Sequence, residues 1–225
     1  MPVRRTPAQV AKRAVILAAL SMRGSFEVTS DPRARKFSTH LLPWLTKIGC
    51  GSEVDPFERE QFQTPYGTLS ESQWLDVRSA GEASNFYLWT LQVVKRIDLK
   101  SVTEPPAYER LPILRPECSE IIDSARLRPV SDVESMVIQI VLVRSLLQES
   151  RLDPAARPVL RRANLAILKK EFGLTPPNAA ISYAEGMVYD MTPEERSTAS
   201  GLSYIRHHAA GWLFSDRSTY YERDE

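Results

Sequence analysis

At Thr6-Pro7, Asp55-Pro56, Asp153-Pro154 and Thr192-Pro193 a short oxygen-bearing side chain stands directly before a proline. Each pair reads as a helix start. The oxygen accepts from backbone N–H groups that the first turn leaves unpaired, and proline at the first helical position gives up an N–H that had no partner. Glu58 and Glu195 follow two of these caps at the spacing of a reciprocal capping box, and Ser131 with Glu134 repeats it. A chain punctuated in this way is predicted to fold as an all-α protein.

The segments behind the caps carry helical periodicity. Helices are predicted over 6–22, over 33–48 with a kink or break at Pro43, and over 71–97 behind Ser70. Gly81 inside the third costs about 1 kcal/mol against alanine, which points to close helix approach or a local bend. From Ser131 the apolar residues Val133, Val137, Ile140 and Val141 are joined by others on most sides, so that helix is expected to be buried nearly all round. Over 154–172 the pattern is amphipathic. Val159, Leu160, Ala163, Ala166 and Ile167 form an apolar face expected to meet the core, and Gly173 stops the helix. Residues 100–116, with Pro105, Pro106, Pro112 and Pro116, read as an irregular connection. Residues 178–190 fit a short helix, a β element or a packed loop. The tail over 217–225 is polar and expected to fray. Nothing resembles a linker, and one domain over 1–225 is expected.

Composition narrows the function classes. Twenty-nine basic residues against 28 acidic ones leave a net charge of +1. A dedicated nucleic-acid binder usually carries a clear basic excess, because neutralising phosphates drives its affinity. The N-terminal run 14–20 behind Arg4, Arg5, Lys12 and Arg13 mimics a signal peptide, but Met22-Arg23-Gly24 replaces a cleavage site, so a cytoplasmic protein is expected. No stretch is long enough to span a bilayer.

Familiar catalytic signatures fail. His40, His207 and His208 lack the i, i+4 spacing that lets two imidazoles share a metal, and no metal or cofactor is expected. Cys50 and Cys118 are too few for a disulfide scaffold and are expected as free thiols. Cys50, with His40 as its base, is the one nucleophile to weigh, but it follows a helix C-terminus, the end that does not lower a thiol pKa. Gly49-Cys50-Gly51-Ser52 lacks the lysine and spacing of a phosphate-binding loop.

Three features remain. Arg78 and Glu82 are spaced i, i+4, and Arg144 lies in the most apolar helix, so a buried Glu82 is predicted to pair with Arg78, Arg144 or both. Arg157, Arg161, Arg162, Lys169 and Lys170 make the helix over 154–172 basic. Trp44, Trp74, Trp212, Tyr220 and Tyr221 supply the side-chain types that most often anchor protein interfaces.

Trp44-Leu45-Thr46-Lys47-Ile48-Gly49, Glu58 to Phe62, Pro65-Tyr66-Gly67, and Glu82-Ala83 leading into Leu88-Trp89-Thr90-Leu91 together resemble the uncharacterised family catalogued as domain of unknown function 4272. Lys12-Arg13-Ala14 and Glu194-Glu195-Arg196 fit the same likeness, while Gly81 and Ser84 to Tyr87 depart from it. The resemblance implies a helical fold and no mechanism, and places the first apolar stretch inside the mature domain.

The reading expected from all this is a non-enzymatic protein-binding module, for example a bacterial immunity or accessory protein that neutralises a partner. A small-ligand binder or enzyme built on Arg78, Glu82 and Arg144 is the alternative. Weak nucleic-acid contact through the basic helix is the third. Homo-oligomerisation stays open.

Overall fold

The computed structural model describes residues 3–28, 33–151, 153 and 155–215. Among them are ten α-helices and no strand, so the fold is all-α. The tail with Tyr220 and Tyr221, and Pro154, lie outside the described residues. The chain gathers into two compact units, one from Thr6–Arg96 and Thr103–Leu127, the other from residues 3–5, Ile97–Val102 and 128–215.

In the first unit, helix α1 (Pro7–Glu27) starts at Thr6, whose side chain accepts from the Gln9 N–H while Gln9 reaches back to the Thr6 N–H. It runs further than the predicted end at Met22 and is buried over Val10, Ala11 and 13–21. Helix α2 (Arg33–Lys47) continues through Pro43, and Gly49 follows at φ 77. Helix α3 (Pro56–Gln63) opens on the Asp55–Glu58 capping box. Helix α4 (Glu71–Thr90) starts at Ser70 as expected but stops well short of Ile97. Gln92 adopts φ 65 there, a left-handed conformation that cannot continue a helix, and its side chain donates to the Leu127 carbonyl at 3.1 Å. The proline-rich stretch holds one short helix, α5 (Ala107–Arg110), and α6 (Cys118–Asp123) comes after it.

The centre of this unit is the crossing of α1 and α4. A Cβ placed on Gly81 would lie 2.6 Å from Ser21 Oγ, and one on Gly24 would lie 2.6 Å from Val77 Cγ2. Glycine at both positions is what lets the two backbones approach. Gly81 is therefore a close-approach residue, one of its two predicted roles. Ser84 Oγ adds a bond across the crossing to the Ala14 carbonyl at 2.7 Å.

Charges enter this core in pairs. Arg13 and Glu58 are 5% and 0% exposed and bond to each other. Glu58 also accepts the Asp55 N–H at 3.0 Å, so one carboxylate closes the α3 cap and neutralises Arg13 of α1. Burial pushes the Glu58 carboxyl above the usual range, and Arg13 pulls it back. Arg23, fully buried, pairs with Glu27 and donates to the Thr64 and Pro65 carbonyls at 3.1 and 3.3 Å. Glu27 in turn accepts the Gly67 N–H at 2.9 Å. The turn after α3 is thereby fastened to the end of α1.

The second unit contains α7 (Val130–Glu149), α8 (Arg157–Phe172), α9 (Asn178–Tyr189) and α10 (Pro193–Phe214). Helix α7 is buried on most sides, as its pattern predicts. Ser131 is not its cap: the helix begins one residue earlier, behind Pro129, and no side chain caps it. Helix α8 begins at Arg157 rather than at the 153–154 pair; Asp153 instead accepts the Ala155 N–H at 2.8 Å. Gly173 ends α8 in the left-handed conformation, φ 66, as expected. Residues 178–190, left open between helix, β and loop, form α9, so the β and irregular options fall. Helix α10 opens on the Thr192–Glu195 box. Its last carbonyls are met by basic residues, since Arg4 donates its N–H to Leu213 O at 3.0 Å and Arg5 its Nε to Trp212 O at 3.1 Å.

Candidate functional site

The predicted cluster of Arg78, Glu82 and Arg144 does not assemble around Glu82. Glu82 is 7% exposed, and its two oxygens accept the Thr103 N–H at 2.7 Å and the Thr103 hydroxyl at 3.2 Å. A buried carboxylate that takes two donors from one loop residue is a fastening for that loop. Arg78, one turn earlier on α4, is exposed and lies over the Trp74 ring at 5.2 Å, a cation–π contact, in place of the expected ion pair. Arg144 belongs to the second unit, where it bonds to His207 Nδ1 and lies over Tyr204 at 5.4 Å. His207 Nε2 faces Glu171 Oε2 at 3.4 Å, and the ring packs edge-on against Phe172. Periodicity placed these residues on the right helices and assigned them the wrong partners.

The aromatic anchors divide in the same way. Trp44 and Trp212 are 8% and 7% exposed. Trp44 donates its indole N–H to the Arg115 carbonyl at 3.2 Å, and Trp212 lies under the Arg5 guanidinium at 4.5 Å. Both are core residues, Trp44 with its polar edge satisfied and Trp212 with its ring face covered, which corrects the expectation that they meet a partner. Trp74 is half-buried under Arg78.

Cys50 and Cys118 are free and fully buried, and burial pushes their thiols up to about 11 and about 12. His40 is exposed. A thiol so protonated is no nucleophile at neutral pH. At pH 8, alkylation of either cysteine in the native protein should run at least about 100-fold slower than in denaturant, where both titrate near 8.5. Rapid labelling of the native form would contradict this burial.

Helix α8 holds the main surprise. Leu168 and Phe172 are its buried residues, while Val159, Ala163, Ala166 and Ile167 are exposed, Val159 at 60% and Ile167 at 38%. Four of the five residues expected to face the core thus face outward, and Leu160 is half-buried. The reason lies on α7. Glu149 there is 3% exposed, and a buried carboxylate needs a cation. Arg161 supplies it, donating Nε and Nη2 to Glu149 Oε2 at 3.0 and 2.8 Å, and Nη1 to Glu185 Oε1 of α9 at 3.0 Å. These bonds, with that of Glu149 first, hold the guanidinium firmly charged. Asn164, one turn on, donates to Ser145 Oγ at 2.9 Å, and that hydroxyl donates to Glu149 Oε1 at 2.9 Å. Arg161, Asn164, Leu168 and Phe172 share one face of α8 at i, i+3, i+4 spacing. Turning that face inward turns the alanine-rich stripe outward.

The basic face is correspondingly divided. Arg161 is consumed by Glu149 and Glu185. Arg162, Lys169 and Lys170 remain exposed beside the apolar stripe. On the inner side, α7, α8, α9 and α10 line a partly open cavity of about 170 Å³ whose charged walls are Glu149, Glu185, Arg157, Arg161 and Arg196. A larger, shallow groove of about 470 Å³ runs over α3, lined by Pro56, Arg59, Glu60, Gln63 and Thr64. Among the described residues, no group of three or more His, Cys, Asp or Glu is placed to hold a metal ion, and no helix is long and apolar enough to cross a membrane. Comparison with protein-family models, curated proteins and solved structures finds no match to this chain.

Proposed function

We propose that this chain acts as a protein-binding module whose contact surface is the outer face of α8. The observation that carries this reading is the stripe Val159, Ala163, Ala166 and Ile167, exposed on the side of the helix opposite its buried face. Such a stripe is the geometry by which one helix packs on another, with alanines allowing close approach at its middle. Arg162 and Lys169 flank it on one side and Lys170 continues it towards the helix end, so the partner surface that fits is apolar at its centre and carboxylate-bearing beside it.

Nucleic acid suits this face poorly. Phosphates reward cations and gain nothing from valine or isoleucine, and one of the five basic residues is already neutralised by Glu149 and Glu185. An immunity or accessory protein that occupies and silences its partner is the narrower form of the same proposal.

A photo-crosslinking residue in place of Ala163, introduced in source cells, should give one discrete adduct with another protein. Val159→Asp with Ile167→Asp should abolish that adduct and weaken the purified complex by about 100-fold, since each aliphatic contact is worth about 1.5–3 kcal/mol. The thermal midpoint of the variant should stay near that of the parent, because both side chains are exposed. No adduct, or a complex indifferent to both charges, would end the proposal; an adduct with a second copy of the chain would replace it with self-association.

A further inference from the structure

The cavity between α7, α8, α9 and α10 is separate in kind from the α8 outer stripe, and its contents point to a ligand. Three guanidiniums and two carboxylates line it. Arg161 is fully engaged with Glu149 and Glu185. Arg196 is not. Its one hydrogen bond runs from Nη2 to the Tyr189 carbonyl at 3.3 Å, which leaves Nη1 free to donate. A guanidinium offers its two Nη groups as a planar fork matched to two oxygens of one anion. Arg157 adds a second cation to the same wall.

We infer that this cavity is a binding site for a small oxyanion, with Arg196 as the residue that contacts it. The volume of about 170 Å³ equals the liquid share of roughly five or six waters, enough for a phosphate or a short carboxylate. It falls below the roughly 300–1,000 Å³ of pockets that enclose drug-sized molecules, so a small anion suits it best. The two carboxylates limit affinity and set selectivity. They hold Arg161 in place and repel any anion that does not reach Arg196.

Calorimetric titration of the full chain with inorganic phosphate, and separately with succinate, at fixed ionic strength tests the site and tells its two chemistries apart. One of the two should bind saturably, with a dissociation constant below about 10 mM. Arg196→Gln should weaken that binding at least about tenfold, by removal of the charged fork. Glu185→Gln should tighten it about threefold or more, because one repelling charge leaves the wall while Arg161 keeps Glu149. Saturation by neither anion overturns the inference, as does undiminished binding by Arg196→Gln. Should Arg196→Gln prove unstable, the Glu185→Gln variant decides alone: unchanged or weaker binding there rules the site out.

Discussion

Replacing Arg13 by methionine is expected to cost the fold about 3–5 kcal/mol, since it strips the counter-ion from a carboxylate that is 0% exposed. On a chain of this size that lowers the thermal midpoint by roughly 6–20 °C. The loss should depend on pH in a definite direction. In the parent, burial raises the Glu58 carboxyl and Arg13 opposes the rise. Without Arg13 the carboxyl rises further above its unfolded value near 4.3. A group whose folded pKa is raised binds its proton more tightly in the native state, so stability climbs as pH falls through that folded value and levels off below the unfolded one. The gap between variant and parent should therefore narrow from pH 8 towards pH 5. Adding Glu58→Gln to Arg13→Met should recover most of the loss at neutral pH, because glutamine is neutral and still serves the α3 cap. Chemical denaturation at several pH values measures all of this, and a gap that widens on acidification would contradict the assigned pair.

The second large effect is expected at Arg206. This side chain is 0% exposed and donates to the Asp98 carbonyl at 2.7 Å and the Ser101 carbonyl at 3.2 Å. It holds the segment Ile97–Val102, whose Ile97 and Leu99 are buried, against α10. Arg206→Met removes at least two charge-assisted bonds from a buried side chain, a cost of about 3 kcal/mol or more. Arg206→Lys keeps the charge but not the fork, and should restore only about half of that. Hydrogen exchange should report the change locally, with faster exchange over 97–102 in the methionine variant. Equal stability for methionine and arginine would show that the segment is held by its apolar residues alone.

Much of the fold is legible in the sequence, and the reason is locality. The caps at Thr6, Asp55, Ser70 and Thr192 act within one turn, so they can be read without knowing what the helix packs against. Ser131 misleads because its spacing fits a cap while Pro129 already sets the start of α7. The interior charges are the least legible. No local pattern marks Arg13, Arg23 or Arg206 as interior, because their partners lie at Glu58, at a turn near Thr64, and at the carbonyls of a distant loop. Helix α8 shows the same failure in reverse. Its apolar stripe predicts one orientation, and a single buried carboxylate at Glu149 imposes the other. Trp44 and Trp212 have the chemistry of interface anchors, but indole N–H and ring face alike find partners inside. The exposed stripe and the Arg196 cavity could only be seen once those interior pairs were known.

The route of the polypeptide through its two units has a further consequence. The later unit, mostly 128–215, also includes residues 3–5 and Ile97–Val102, with the other unit's sequence running between them. Neither unit is a contiguous stretch of gene. A recombination joint near residue 127 would separate Arg206 from Asp98 and Ser101, and Leu213 from Arg4. The two halves of this chain are therefore bound to be inherited together, and shuffling can change what α8 presents only by substitution in place.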